Sequence, residues 1–168
     1  MEKIVNPIRV VLDYLALRRS VYAAQGCGEV RFYPHPVGNI PSERMPVLMA
    51  SPINLATQPF GMPDIFMEVY RFELYGFVID PDPERANELR WIFGATTLRL
   101  LAELPHYLNA EGHTFFTQEH WMPSVEFTQT MIGNSPVDAW VAPLVLQKIV
   151  QYTPLAINEQ PIVRHEPY

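Results

Sequence analysis

The stretch "RFELYGFVIDPDPERANELRWIFGATTLRLLAEL", residues 71–104, holds a strand, a turn and a long helix in order. With Tyr70 included, Tyr70, Phe72, Leu74, Gly76 and Val78 share one strand face, and Arg71 and Glu73 mark the other, because side chains alternate along an extended chain. In the turn Asp80-Pro81-Asp82-Pro83, Asp82 is placed to cap the first free N–H groups of a helix. Pro83 already has the φ of a first helical position, and Glu84 faces the positive end of the helix dipole. Ala86, Leu89, Phe93, Leu100 and Leu104, with Ile92 and Leu101 beside them, form an apolar stripe at helical spacing, while Arg85, Glu88, Arg99 and Glu103 lie mostly outside it. Pro105 is expected to end this helix. The same outline would suit a nucleotide-binding unit, but a phosphate site needs glycines that let backbone N–H groups approach the anion. Here two carboxylates stand where the anion would sit. The unit is a packed scaffold, and emptying it with Leu89→Ala or Phe93→Ala is expected to cost about 2–5 kcal/mol.

On the amino-terminal side, Asn6-Pro7 offers a cap and a helix start, and Ile8, Val11, Leu12, Leu15 and Tyr22 follow at helical spacing before Gly26 and Gly28. This predicts a helix over about 7–25. "EVRFY" at 29–33 and "PVLMAS" at 46–51 read as short strands. "PINLATQPFGMPDI", residues 52–65, has three prolines, a glycine and no clear period, and reads as a long loop. The central strand is expected over about 66–79. Beyond the long helix, short strands are expected around 113–118 and 123–130, joined by a turn near Trp121 to Pro123. "AWVAPLVLQKIVQY", 139–152, fits a strand by its β-branched content, and the same run fits a short helix after Pro143. The order lacks regular βαβ crossovers. The expected fold is a single α+β domain over residues 1–153, two helices packed on a mixed or mostly antiparallel sheet of about four to five strands. A proline-rich C-terminal arm follows at 154–168.

A chain of 168 residues is ample for one core. Its net charge of −6 argues against a general binder of nucleic acid or anionic membrane, which needs a positive field. Residues 51–120 hold ten acids and four bases, residues 1–50 six bases and four acids, an asymmetry that favours head-to-tail contacts between copies or is scattered surface charge. Cys27 is the one cysteine, so neither an internal disulfide nor a thiolate cluster can form, and a buried small residue in a reducing compartment is expected. "MEKIVNPIRVVLDYLALRR" is interrupted by Arg9, Asp13 and Arg18 and lacks both a signal-peptide core and the length of a membrane span.

Residue types that carry chemistry do not converge. His106, His113 and His120 are seven residues apart, His35 sits between prolines, and a tight histidine pair of the kind that holds zinc is absent. Glu111, His113, Glu119 and His120 fall near one another in the sequence, which leaves a small metal- or His-dependent enzyme as the alternative to turn-exposed polar residues. No serine lies in a nucleophile elbow, and Cys27 has no readable partner. No catalytic, metal or cofactor site is expected. Phe60 and Met62, with Trp121 and Met122, are instead bulky apolar groups in segments expected at the surface, the type enriched in buried interface cores. They either meet a partner or fold back to lid the core. Ile157 and Ile162 in the C-terminal arm are further interface candidates.

The first helix, then "VRFYPHPVGNIPSERMPVLMA", then "YRFELYGFVIDPDPERANELRWIFGATTLRLLAEL" and a closing strand resemble the tail terminator or tail completion (neck) proteins of long-tailed bacteriophages. The points of resemblance are a strand ending at Tyr33-Pro34, a loop, a strand beginning at Pro46-Val47, an amphipathic strand at 69–78 and an alanine- and leucine-rich helix at 84–104. They cover residues 7–104 in element order and, more loosely, 121–152. The loop at 52–65, the acidic turn at 80–83 and the tail after 153 depart from the family core. The resemblance implies a structural virion protein of the tail and neck, assembled in the host cytoplasm. It would form a homohexameric ring that caps the tail tube and offers a docking face to the head connector, without catalysing a reaction. Its implied partners are its own copies, the tube protein and a connector protein, with no sequence-specific nucleic acid and no membrane.

Overall fold

A computed structural model describes residues 3–38, 46–132 and 134–152. The C-terminal arm at 154–168, with Ile157 and Ile162, lies outside them. Two 17-residue strands, β4 (Met62–Val78) and β7 (Ser135–Gln151), form the spine, paired antiparallel from Ile65↔Gln151 to Val78↔Asp138. On the far edge of β4 lie β2 (Val47–Ala50) and, further along, β3 (Asn54–Phe60), both antiparallel to it. β1 (Arg31–Tyr33) adds a parallel strand outside β2. On the far edge of β7 lie β5 (Phe116–Thr117) and β6 (Glu126–Ile132), again antiparallel. Among the described residues the result is a mixed sheet of seven strands, more than the four to five expected, in the α+β class.

Both helix starts form as the caps dictate. Asn6 Oδ1 accepts from Ile8 N–H at 2.9 Å ahead of Pro7, and Asp82 Oδ1 accepts from Glu84 N–H at 3.0 Å ahead of Pro83. The first helix read from the sequence is broken in two, and the second is followed by a further short one. The first divides into α1 (Pro7–Ala16) and α2 (Arg19–Ala24). A continuous helix would carry Arg18 onto the apolar stripe. Instead the chain turns there, and the Arg18 guanidinium lies 3.9 Å from the centre of the Tyr14 ring while Nη1 donates to Tyr14 O. The second is found as α3 (Pro83–Ala102), which ends ahead of Pro105, and an additional short helix, α4 (Leu104–Ala110), begins across that proline. A proline lacks only an N–H that the first turn leaves unbonded, so it fits at the start of α4, whose Leu104 and Leu108 are buried.

All four helices contribute to one core against the sheet face formed by Tyr70, Phe72, Leu74 and Val78 of β4 with Trp140, Ala142, Leu144 and Leu146 of β7. The alternation expected for the central strand is the one observed. Phe93 of α3 is fully buried, edge-on to Tyr22 at 5.7 Å and to Trp140 at 5.1 Å. Two hydroxyls in this core are paired: Thr97 Oγ1 donates to Phe93 O, which leaves the Tyr22 hydroxyl to donate to Thr97, 2.9 Å away. Gly94 brings α3 onto Phe127 and Val125 so closely that a Cβ there would lie 2.7 Å from the Phe127 ring.

Two further expectations are corrected. Residues 52–65 are not a loop but most of a hairpin, with β3 and β4 turning at Gly61, whose φ of +74° suits glycine. Pro59 is tolerated because β3 is an edge strand, and Pro63 lies where the β3–β4 register shifts, between Met62 and Phe66. The expected pairing of two strands around Trp121 is also not found. β5 and β6 bond separately to β7, and the segment between them crosses the helices, where Trp121 Nε1 donates to Leu101 O at 2.7 Å. The run at 139–152 is strand through Gln151, and β7 extends it backward to Ser135.

Candidate protein interface

Beyond the helix layer the hairpin continues as an arm. Its inner part is three-stranded, with β4 held between β3 and the last residues of β7, and Tyr152 N–H bonds Asp64 O at 3.0 Å. Every residue of β3 and residues 61–64 are exposed. Phe60 and Met62 flank Gly61 at the tip, 46% and 65% exposed, so these two do not fold back on the core. Leu55 and Ile149 add exposed apolar surface along the arm. At its base the Tyr70 hydroxyl donates to Glu68 Oε2 at 2.9 Å, Lys148 sits opposite Glu68 across the strands, and its ammonium lies 5.7 Å from the Phe115 ring. This buried polar and aromatic knot ties the arm to the body.

At the other end of the sheet, on the face turned away from the helices, Val47, Met49, Phe77, Val137 and Ala139 form a second, smaller apolar cluster. Beside it a groove of about 380 Å³ runs over Met49, Tyr75, Phe77, Ala139 and Val141, walled by Thr128 and Thr130 of β6. Tyr75 donates its hydroxyl to Glu73, and that bond, with burial adding to it, pushes the phenol up to about 12. The sequence carries a signal for this surface: over 74–78 β4 is apolar on both faces, which is unnecessary for a strand covered on one side only.

The other candidates separate. Trp121 is half-buried against the core, and its indole is committed to Leu101, whereas Met122 beside it is 85% exposed. His106, Glu111, Glu119 and His120 are all exposed, and the His113 ring lies tilted against Tyr107 with ring centres 5.6 Å apart. Among the described residues no group of three or more His, Cys, Asp or Glu is arranged to hold a metal ion. No described helix is long and apolar enough to cross a membrane. Cys27 is buried, and burial pushes its thiol up to about 11, opposed by a hydrogen bond with Thr96. It is a packing residue, not a thiolate nucleophile. At pH 8, Ellman's reagent is expected to react with the folded protein at least about a hundredfold more slowly than with the unfolded chain, because so little thiolate forms. Equal rates would show that the site opens. Compared with known proteins, the chain matches no protein-family model and no curated protein sequence.

Proposed function

We propose that this protein is a structural assembly component of a long-tailed bacteriophage, a ring-forming tail terminator or neck protein that caps the tail tube and joins it to the head connector. The observation that carries the proposal is the exposed arm with Phe60 and Met62 at its tip. Ordering a two-residue apolar tip on a hydrogen-bonded hairpin costs little at the moment of binding, because the strands already hold it. A closed ring needs two unlike surfaces per subunit, since its contacts are heterologous. The tip and the groove at the opposite end of the sheet are two such surfaces. A sixfold ring would carry 6 × (−6) = −36 formal charges. Acidity of this kind facing the channel keeps duplex DNA from adhering in transit.

The test is a measurement of mass in solution, with and without a candidate tube protein, joined to negative-stain images. Rings that bind tube ends are expected. A strict monomer in the presence of assembled tube would defeat the proposal, and a strongly basic lumen would defeat the account of the charge.

A further inference from the structure

We infer that the tip of one copy's arm docks in the sheet groove of the next copy, and that repetition of this contact closes the ring; the inference rests on the ring-forming reading above. Charge is the first ground. Residues 52–63, which form β3 and the tip, contain no charged side chain, and none of the residues lining the groove is charged, in a chain with 12 basic and 18 acidic residues. Copies that each carry −6 repel one another. Contact between these two surfaces joins residues that carry no charge and leaves most of the acidic surface in water.

Geometry is the second ground. Tyr75 in the groove and Met62 at the tip lie on one strand, thirteen residues apart, which at roughly 3.3 Å per residue is about 43 Å. Pairing along β4 with β3 and β7 keeps that strand extended, so the tip does not reach the groove of its own chain. Ser51 and Pro52 line the groove and lead directly into β3, so both surfaces belong to one sheet at a fixed offset. A fixed offset repeated from copy to copy is a heterologous operation, which generates a ring where its rotation closes. The groove of about 380 Å³ lies at the small end of ligand-sized cavities (roughly 300–1,000 Å³) but offers no charged group to orient a small molecule. It accommodates a phenylalanine and a methionine side chain, with Thr128 and Thr130 as polar rim.

The experiment uses the full chain and two variants. Phe60→Ser with Met62→Ser removes the tip, and Thr130→Arg blocks the groove from a partly exposed edge strand. Each variant alone is expected to keep the wild-type melt and to sediment as monomer where the wild type is assembled, a loss of association of at least about tenfold. An equimolar mixture is expected to stop at 1:1 dimers, since one intact tip then meets one intact groove. Should a variant fold poorly, Phe60→Cys with Thr130→Cys and a short bismaleimide gives a second readout, and the buried thiol of Cys27 does not compete. Cross-links between chains are expected in the assembled protein. Variants that assemble like wild type, or assembled protein that yields no such cross-link, would overturn the arm-in-groove contact and leave the ring itself standing. A wild type that stays monomeric at all concentrations, with and without tube protein, would overturn both.

Discussion

Phe93→Ala is expected to destabilise the fold by about 3–5 kcal/mol, the range for emptying a fully buried aromatic site. The ring is inaccessible to solvent and sits edge-on between Tyr22 and Trp140, so its removal opens a hole shared by α2, α3 and β7. The collapse that would shrink such a hole is opposed on the sheet side by β-ladder hydrogen bonds and on the helix side by the Tyr22–Thr97–Phe93 chain of polar contacts. Leu89, grouped with Phe93 from the helical period, is only half-buried at the core margin, and Leu89→Ala is expected to cost about 1–2 kcal/mol. Denaturant melts at low protein concentration, where assembly does not add to stability, check both values. Equal losses would place α3 in a different rotation.

Gly76→Ala is the substitution in the sheet with the largest expected penalty, about 3 kcal/mol or more, at the upper end for overpacking. Gly76 lies directly opposite Trp140, and a Cβ at Gly76 would sit 2.0 Å from Trp140 Cε2 and 2.1 Å from Nε1. Trp140 has nowhere to go: it is fully buried, with Phe93 against its face. The test of this cause is Trp140→Phe, which removes part of the clashing indole. It sacrifices no bond from Nε1, which meets no acceptor among the described residues. In the background of Trp140→Phe, Gly76→Ala is expected to cost at least about 1 kcal/mol less than in the wild type. Strict additivity of the two changes would mean that the penalty arises in the backbone of β4 instead.

The parts of this molecule legible in the sequence are those whose physics is local. Asn6-Pro7 and Asp82-Pro83 specify helix starts through a side-chain oxygen and a preset φ, and both are found. Alternation from Tyr70 to Val78 identifies the central strand and its buried face. Phe60 and Met62 stood out as apolar residues without a buried period around them, and both are exposed. Trp121 carried the same chemical signature, yet its indole reaches Leu101, twenty residues back in the chain. No property of the segment around Trp121 distinguishes those two outcomes.

Local order was therefore set by capping, dihedral and burial period, all of which act within a few residues. Tertiary structure alone decided what pairs with what. β3 leaves no period in the sequence because all seven of its residues are exposed, so no face repeats, and its proline is allowed only because the strand has an edge position, a fact about neighbours. β7 was recognisable as a strand, but its partner across the sheet, β4, lies about seventy residues earlier. β5 and β6 each bond to β7 and not to each other, a choice made by the competition among non-local ladders. The arm and the groove exist only because that pairing extends β4 past the helices at one end and leaves one face of the sheet uncovered by them at the other.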